Sequence, residues 1–338
     1  MAPDPWALEL LVLAFAGGAF GASIGALPSF ALAGLAVVLG EAYALAARTA
    51  GGAPAVDLTG AVGFGVVLGP HVAFGGGAAA LAYAAKRGHL SDVGGNHPAK
   101  AVTRGLGNRP DVLAVGGAFG VVGHLTATAS AALALPVDPV ALGVVGSALA
   151  HRLALGYSLV GGRPGWWPTA TPRADGGMRA DPWLPYQHRW RDVTGLGLVA
   201  GALGAYVAYL TASPFLAFGI SVVALAFLIA GVAKVPVTHH VTLPAGTAVL
   251  ALVDPAAAAG GLTPAAVQRA VPLGTALAVG TAFGLCGALA GEALQRVLYA
   301  RAETHLDPPA ASIVVTSLIV GLLAMAGVLP GAVWVPQP

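Results

Sequence analysis

Residues 116–125 read Gly-Gly-Ala-Phe-Gly-Val-Val-Gly-His-Leu, and residues 280–289 read Gly-Thr-Ala-Phe-Gly-Leu-Cys-Gly-Ala-Leu. The shared frame, Gly-x-Ala-Phe-Gly-x-x-Gly-x-Leu, lies inside an apolar run both times. Other stretches answer one another at a similar distance. His71-Val72, Gly77 and Leu81 return as His240-Val241, Gly246 and Leu250, an offset of 169 in a chain of 338 residues. Asp138-Pro139 returns at that offset as Asp307-Pro308. Gly18-Ala19-Phe20-Gly21 and Pro28-Ser29-Phe30 correspond to Gly201-Ala202-Leu203-Gly204 and Ser213-Pro214-Phe215. An apolar chain that repeats itself halfway along points to the duplicated architecture of transporters and related membrane proteins.

Composition sets the class. Hydrophobic residues make up 57% and charged residues 9%, with a mean hydropathy of +0.80. A soluble domain carries about 25% charged residues, so a water-facing surface cannot be assembled from this chain. In hydrocarbon, helices associate by close backbone approach over small residues. Gly17, Gly21 and Gly25 form such a ridge, and Gly116/Gly120 and Gly280/Gly284 repeat it. The chain reads as an all-α polytopic protein of the cell membrane. The lone Cys286 rules out a disulfide framework within one chain and a multi-thiolate metal site. The first residues carry Asp4 and Glu9 and no basic stretch, so 6–24 reads as a retained span.

A spanning helix needs about 20 apolar residues. Runs at 6–25, 28–47, 111–134, 139–160, 193–212, 214–233, 273–298 and 309–330 meet that length. Segments 57–87 and 235–254 are interrupted near their histidines, the first by Pro70 and Gly75–Gly77, the second by Pro236 and Pro244. Such breaks survive at membrane depth only where protein or a water-filled cavity satisfies the freed backbone groups, so both read as broken or re-entrant helices. Counted as one crossing each, they give ten transmembrane helices in two five-helix repeats: a first repeat over 1–160, a linker over 161–191 and a second repeat over 192–338. Alternation then gathers Lys86, Lys100, Arg104, Arg109, Lys234, Arg296 and the linker arginines on one face, cytoplasmic by the positive-inside rule, with Arg48 and Arg269 opposite. Five spans per half make the repeats inverted; a re-entrant segment in each half makes them parallel instead.

The linker holds Trp166, Trp167, Trp183 and Trp190 beside Arg173 and Arg179. It reads as an interfacial belt whose arginines reach lipid headgroups, or as a docking surface for a cytoplasmic partner. Ionisable residues inside spans mark sites by default. His71 and His240, placed by the duplication at the two helix breaks, are expected to line a polar path, with His239, His124 and Glu292 as further members. The competing readings are structural: the imidazoles cap broken helices, and Glu292 pairs with Arg296 one turn on. Asp138-Pro139 and Asp307-Pro308 read as capped helix starts.

Gly94-Gly95-Asn96-His97 with Lys100-Ala101, the span from Leu113, and Val145-Gly146-Ser147-Ala148 with His151 and Tyr157 resemble the integral membrane subunits of the archaeal tetrahydromethanopterin S-methyltransferase, the sodium-pumping Mtr complex. Residues 71–80 resemble a His-x-x-P-x-G-G-A-P-A segment of a sister subunit, with Phe74 and Ala79 where that segment has prolines. The resemblance implies a membrane-embedded, oligomeric core associated with ion movement and lipid. No corrinoid or methyl-transfer domain accompanies it, so methyl transfer does not carry over. The chain contains no phosphate-binding loop, no His-Glu-x-x-His and no paired Cys. It is therefore expected to be a non-enzymatic membrane transporter or ion-translocating protein with its site between the repeats. The alternative is a lipid-organising homo-oligomer held by its glycine ridges. No cofactor, metal or nucleic-acid partner is expected.

Overall fold

A computed structural model describes residues 4–90, 97–160, 183–258 and 262–332. Among these residues every regular element is a helix. In the first half they are α1 (Leu8–Ile24), α2 (Ala26–Thr49), α3 (Ala73–Lys86), α4 (Pro110–Ala132) and α5 (Pro139–Ala154). In the second half they are α6 (Trp190–Thr211), α7 (Leu216–Val223), α8 (Leu225–Ile229), α9 (His239–Leu250), α10 (Pro264–Ala270), α11 (Leu273–Leu294) and α12 (Pro308–Met325). A π-helical turn, Gln295–Tyr299, prolongs α11. Five helices (α2, α4, α6, α12 and α11 with its extension) are long and apolar enough to cross a membrane. Large apolar side chains such as Leu8, Val12, Val199, Leu203 and Phe227 stand on the outer surface. In water that surface would be an aggregation liability; against lipid it is neutral. The chain is a helical membrane protein.

Several helices begin where the sequence has proline at a first helical position, which needs no N–H and presets φ. Pro110, Pro139, Pro264 and Pro308 open α4, α5, α10 and α12. Asp138 caps α5, accepting from Val140 N at 2.8 Å and Ala141 N at 3.0 Å, and Asp307 caps α12, accepting from Ala310 N at 2.9 Å. The interrupted segments differ in detail from the sequence reading. The first passes through a π-helical turn at Thr59–Gly63 and an irregular stretch to Val72, but Gly75–Gly77 lie inside α3. These glycines do not break the helix because each packs on a neighbouring chain segment: a Cβ on Gly76 would lie 2.4 Å from Gly116 O, and one on Gly77 2.9 Å from Gly21 O. In the second, Pro244 lies within α9.

The two halves have like internal packing. In one, α1 lies against α3 and α4, α3 against α4 and α5, and α4 against α5; in the other, α6 lies against α9 and α11, α9 against α11 and α12, and α11 against α12. Glycine makes this approach tight: a Cβ on Gly18 would fall 2.2 Å from Gly116 O, and one on Gly284 2.4 Å from Gly201 Cα. Between the halves α2 meets α7 and α5 meets α12. Both contacts are antiparallel. Gly34 of α2 faces Val222 while Val37 and Val38 face Gly219; Asp138 N, at the start of α5, donates to Ser317 Oγ at 2.9 Å, and Arg152 near its end meets Thr304 just ahead of α12. One hydrophobic core crosses this junction, joining Phe30, Phe74 and Val144 to Phe218, Leu243 and Ile313.

Candidate functional site

The short helices α3 and α9 are the enclosed ones. Every residue of α9 is buried, as is α3 up to Ala82. Each begins beside a released carbonyl. Pro244 has no N–H to offer His240 O four residues back, and Gly75 N reaches past His71 to bond Pro70 O at 2.9 Å. Both histidine carbonyls face a glycine of the duplicated motif: a Cβ would stand 1.7 Å from His71 O if built on Gly123, and 2.2 Å from His240 O if built on Gly287. His71 lies beside the His124 ring at 6.4 Å, within its own half, and His240 beside Trp183 of the linker at 6.1 Å. His124 Nε2 meets Pro5 O at 2.9 Å. Nδ1 of His71 and of His240 is buried without a hydrogen-bond partner.

Between the halves lies a small chamber with a cavity volume of about 30 Å³. Phe30, Phe64, Phe74 and Phe218 supply most of its aromatic wall, and Val144, Leu243 and Ile313 add aliphatic surface. Its polar groups are Asp138, Asp307 and His239. These come from the first residues of α5, α12 and α9, while Pro70 and Phe74 bring the start of α3. Four helix N-termini therefore border one space. Each carries a partial charge of about +0.5, so four of them roughly balance the two capping carboxylates. From Asp307 to Ser317, the residue that meets Asp138, α12 rises about 15 Å at ~1.5 Å per residue. The two carboxylates therefore stand towards opposite ends of the chamber.

A second, larger space of about 280 Å³ opens beyond Asp307. It takes in Lys100, Thr103, Trp183, Tyr299 and His305. Lys100, only 5% exposed, lies 4.5 Å over the Tyr299 ring. Phe30, His239 and Asp307 line both spaces and form the partition between them. The Phe30 ring is packed edge-on against His239 at 5.1 Å, Phe74 at 5.9 Å and Phe218 at 6.2 Å. His305 Nε2 lies 3.3 Å from Asp307 Oδ1, and against a carboxylate that nitrogen donates. Of the residues singled out by the sequence, His239 lines the chamber, whereas His71, His240, His124 and Glu292 are not among its lining residues. Glu292 accepts from Arg296 Nε at 2.5 Å and from Gln295 Nε2 at 3.2 Å. Arg296 also donates to His188 O at 2.9 Å and lies 4.7 Å over Trp190. That cluster fastens the segment ahead of α6 to α11. Trp166, Trp167, Arg173 and Arg179, like Gly94–Asn96, lie outside the described residues.

Phe30 and Asp307 of the partition, and His305 beside Asp307, were not read from the sequence as site residues. The signal for His305 lies in the repeat itself. At the 169-residue offset His239 replaces Pro70 and His305 replaces Pro136, so both departures fall next to Asp307. Among the described residues no three His, Cys, Asp or Glu side chains are grouped to hold a metal ion.

A family model matches the chain from residue 1 to residue 338, and the chain belongs to that family, a family of unknown function (DUF7973). No curated protein and no solved structure matches it. The likeness to Mtr subunits therefore rests on the short segments quoted above.

Proposed function

We propose that this member of the DUF7973 family is a transporter of small solutes or ions, built as two inverted five-helix repeats with its site in the chamber between them. The observation that carries the reading is the partition: a chamber at the junction of the halves meets an outer space at Phe30, His239 and Asp307. Inversion is supported by the antiparallel contacts of α2 with α7 and of α5 with α12, since equivalent helices related by an in-plane axis must run oppositely. The two short helices fit the same scheme. From the chamber α3 runs to the end where Lys86 bonds Leu155 O, and α9 runs the other way, as discontinuous transporter helices do. The outer space, lined by Lys100 and Trp183, lies at the basic end, so the arrangement is open towards the cytoplasm. The alternative, a homo-oligomer held by glycine ridges, has less support. Gly18, Gly21, Gly76, Gly116, Gly120, Gly201 and Gly284 all meet backbone of the same chain.

A ligand that binds the folded chain raises its melting temperature. Purified protein screened by thermal shift against inorganic ions and small organic solutes should yield a stabilising compound. Its uptake into liposomes should be lost in Phe30→Ala and His239→Ala and kept in Trp190→Ala. A stabilising compound whose uptake survives both chamber variants would place the path elsewhere, and absence of any uptake would remove the transport reading.

A further inference from the structure

The two Asp-Pro helix starts are equivalent in sequence but not in surroundings. Asp138 has Pro70 and Pro136 at the positions where Asp307 has His239 and His305. Only the second carboxylate lies in the partition between the two spaces. His239 and His305 are 3% and 2% exposed, and Nδ1 of each is buried with no hydrogen-bond partner. With Nε2 of His305 donating to the carboxylate, its Nδ1 carries a lone pair. The chain thus buries a carboxylate, two imidazoles and at least one vacant proton acceptor at the boundary between the two spaces. These three do not form a metal site.

Resting on the transport reading, we propose that Asp307, His239 and His305 form a proton-binding site, and that its occupancy governs passage between the outer space and the inner chamber. An arriving proton forms an N–H bond with the His305 Nδ1 lone pair, giving an imidazolium whose charge the neighbouring carboxylate balances. Alternatively it forms an O–H bond on Asp307, which ends the donation from His305 Nε2 and frees that ring. In either state the hydrogen bond that fixes His305 between Phe74, at 5.5 Å, and Tyr299, at 5.3 Å, changes strength. Phe74 packs on Phe30, so the change is passed to the partition. Other charged or titratable groups facing the site are His240 on α9, His151 on α5, Tyr299 beside His305, Lys100 from the 98–100 turn and Asp138 across the chamber. The first half, with prolines at both places, has no counterpart.

The test uses the full chain in phosphatidylcholine and phosphatidylglycerol liposomes, with Cys286→Ala and Ala141→Cys placing one thiol on the chamber wall. Labelling by a membrane-impermeant methanethiosulfonate reagent is measured over a series of pH values from acid to neutral. Rates are normalised to an Arg87→Cys chain, whose thiol is exposed. The labelling rate should change about tenfold or more across that range, as expected when a charge-assisted hydrogen bond is made or lost. The change should vanish in Asp307→Asn and in the milder His305→Asn, and persist in Asp57→Asn. Infrared pH-difference spectra should lose a carboxyl band in Asp307→Asn only. Labelling that is independent of pH in the parent chain, or a pH response retained in both site variants, overturns the proton site and leaves transport standing. A thiol at 141 that is never labelled overturns the transport reading, and with it the passage that the proton site is proposed to control.

Discussion

At the residue scale, the duplicated glycines act as receptors for backbone. Gly123 and Gly287 accommodate the carbonyls of His71 and His240, which the helix ladder has released. Gly123→Ala and Gly287→Ala should each cost about 1–3 kcal/mol, the usual penalty for overpacking, read as a lowered melting temperature in detergent. Gly195→Ala in α6 meets nothing within 4 Å and should be neutral or stabilise by up to about 1 kcal/mol, the usual helical preference for alanine. A destabilising Gly195→Ala alongside a silent Gly287→Ala would reverse this assignment. His97, on a loop outside the helices, gives a pH prediction. Burial holds its imidazole below the ordinary value of 6.5, with Lys100 adding to the shift and Glu303 opposing it. Its neutral ring accepts from Ala99 N at 3.3 Å. A folded value below the unfolded one means a contribution fully present above about pH 6.5 and lost as pH falls through the folded value. His97→Asn, which keeps an acceptor for the turn, should flatten the acid side of the stability profile. The paired histidines were conspicuous in the sequence because they repeat, yet what the repeat conserves there is backbone packing. His239 was read as a member of the polar path, whereas His305 is legible only as a place where the repeat fails.

At the scale of elements, spans were largely legible, because a membrane helix is decided by a run of apolar residues long enough to satisfy its own backbone. Helices α1, α2, α4, α6 and α12 fall within a few residues of the predicted runs. The breaks were harder. Pro244 reads as an interruption, but near the start of α9 the one hydrogen bond it removes belongs to a carbonyl that packs on Gly287 instead. Contacts between helices were not legible, since they depend on which faces meet. Arg152 illustrates this. It is fully buried at the end of α5, and its guanidinium reaches Thr304 Oγ1 at 2.9 Å, Thr304 O at 2.9 Å, Leu298 O at 2.8 Å and Leu159 O at 2.5 Å. Three of these four bonds cross to the second half, so Arg152 latches α5 to the approach to α12. Arg152→Gln should lower stability by about 3 kcal/mol, since several acceptors of a charged donor are left unmet. Arg152→Lys should recover only part of the loss, because an ammonium cannot copy the planar fork. Equal melting temperatures for the parent and Arg152→Gln chains would dismiss the latch.

At the scale of the whole molecule, the proposed topology puts the basic loops on one face. Leu27 N bonds Val102 O, Leu106 N bonds Ala22 O, and His305 N bonds Ala99 O, which ties the ends of α1, α2 and α12 to the loop carrying Lys100 and Arg104. In a Cys286→Ala background, thiols at Gly52→Cys and Ala326→Cys should react with an impermeant reagent added outside intact cells. A thiol at Arg87→Cys should react only after the membrane is opened. Labelling of all three from outside would undo the ten-crossing topology. The candidate site was half legible: the sequence pointed to the junction of the halves and to His239, while the phenyl walls and Asp307 come together only through antiparallel packing.

The enclosure of α9, and of α3 up to Ala82, bears on how the chain is made. At ~1.5 Å per residue, fourteen and twelve residues span about 21 and 18 Å, short of a hydrocarbon core of ~30 Å. Neither can be handed to the bilayer as an independent span. During synthesis each must wait for α4 or α11, the later helices whose glycines receive its backbone. A nascent chain stopped at residue 262, before α11, should leave a thiol at Val249→Cys open to an aqueous reagent. The same thiol in the completed protein should be silent.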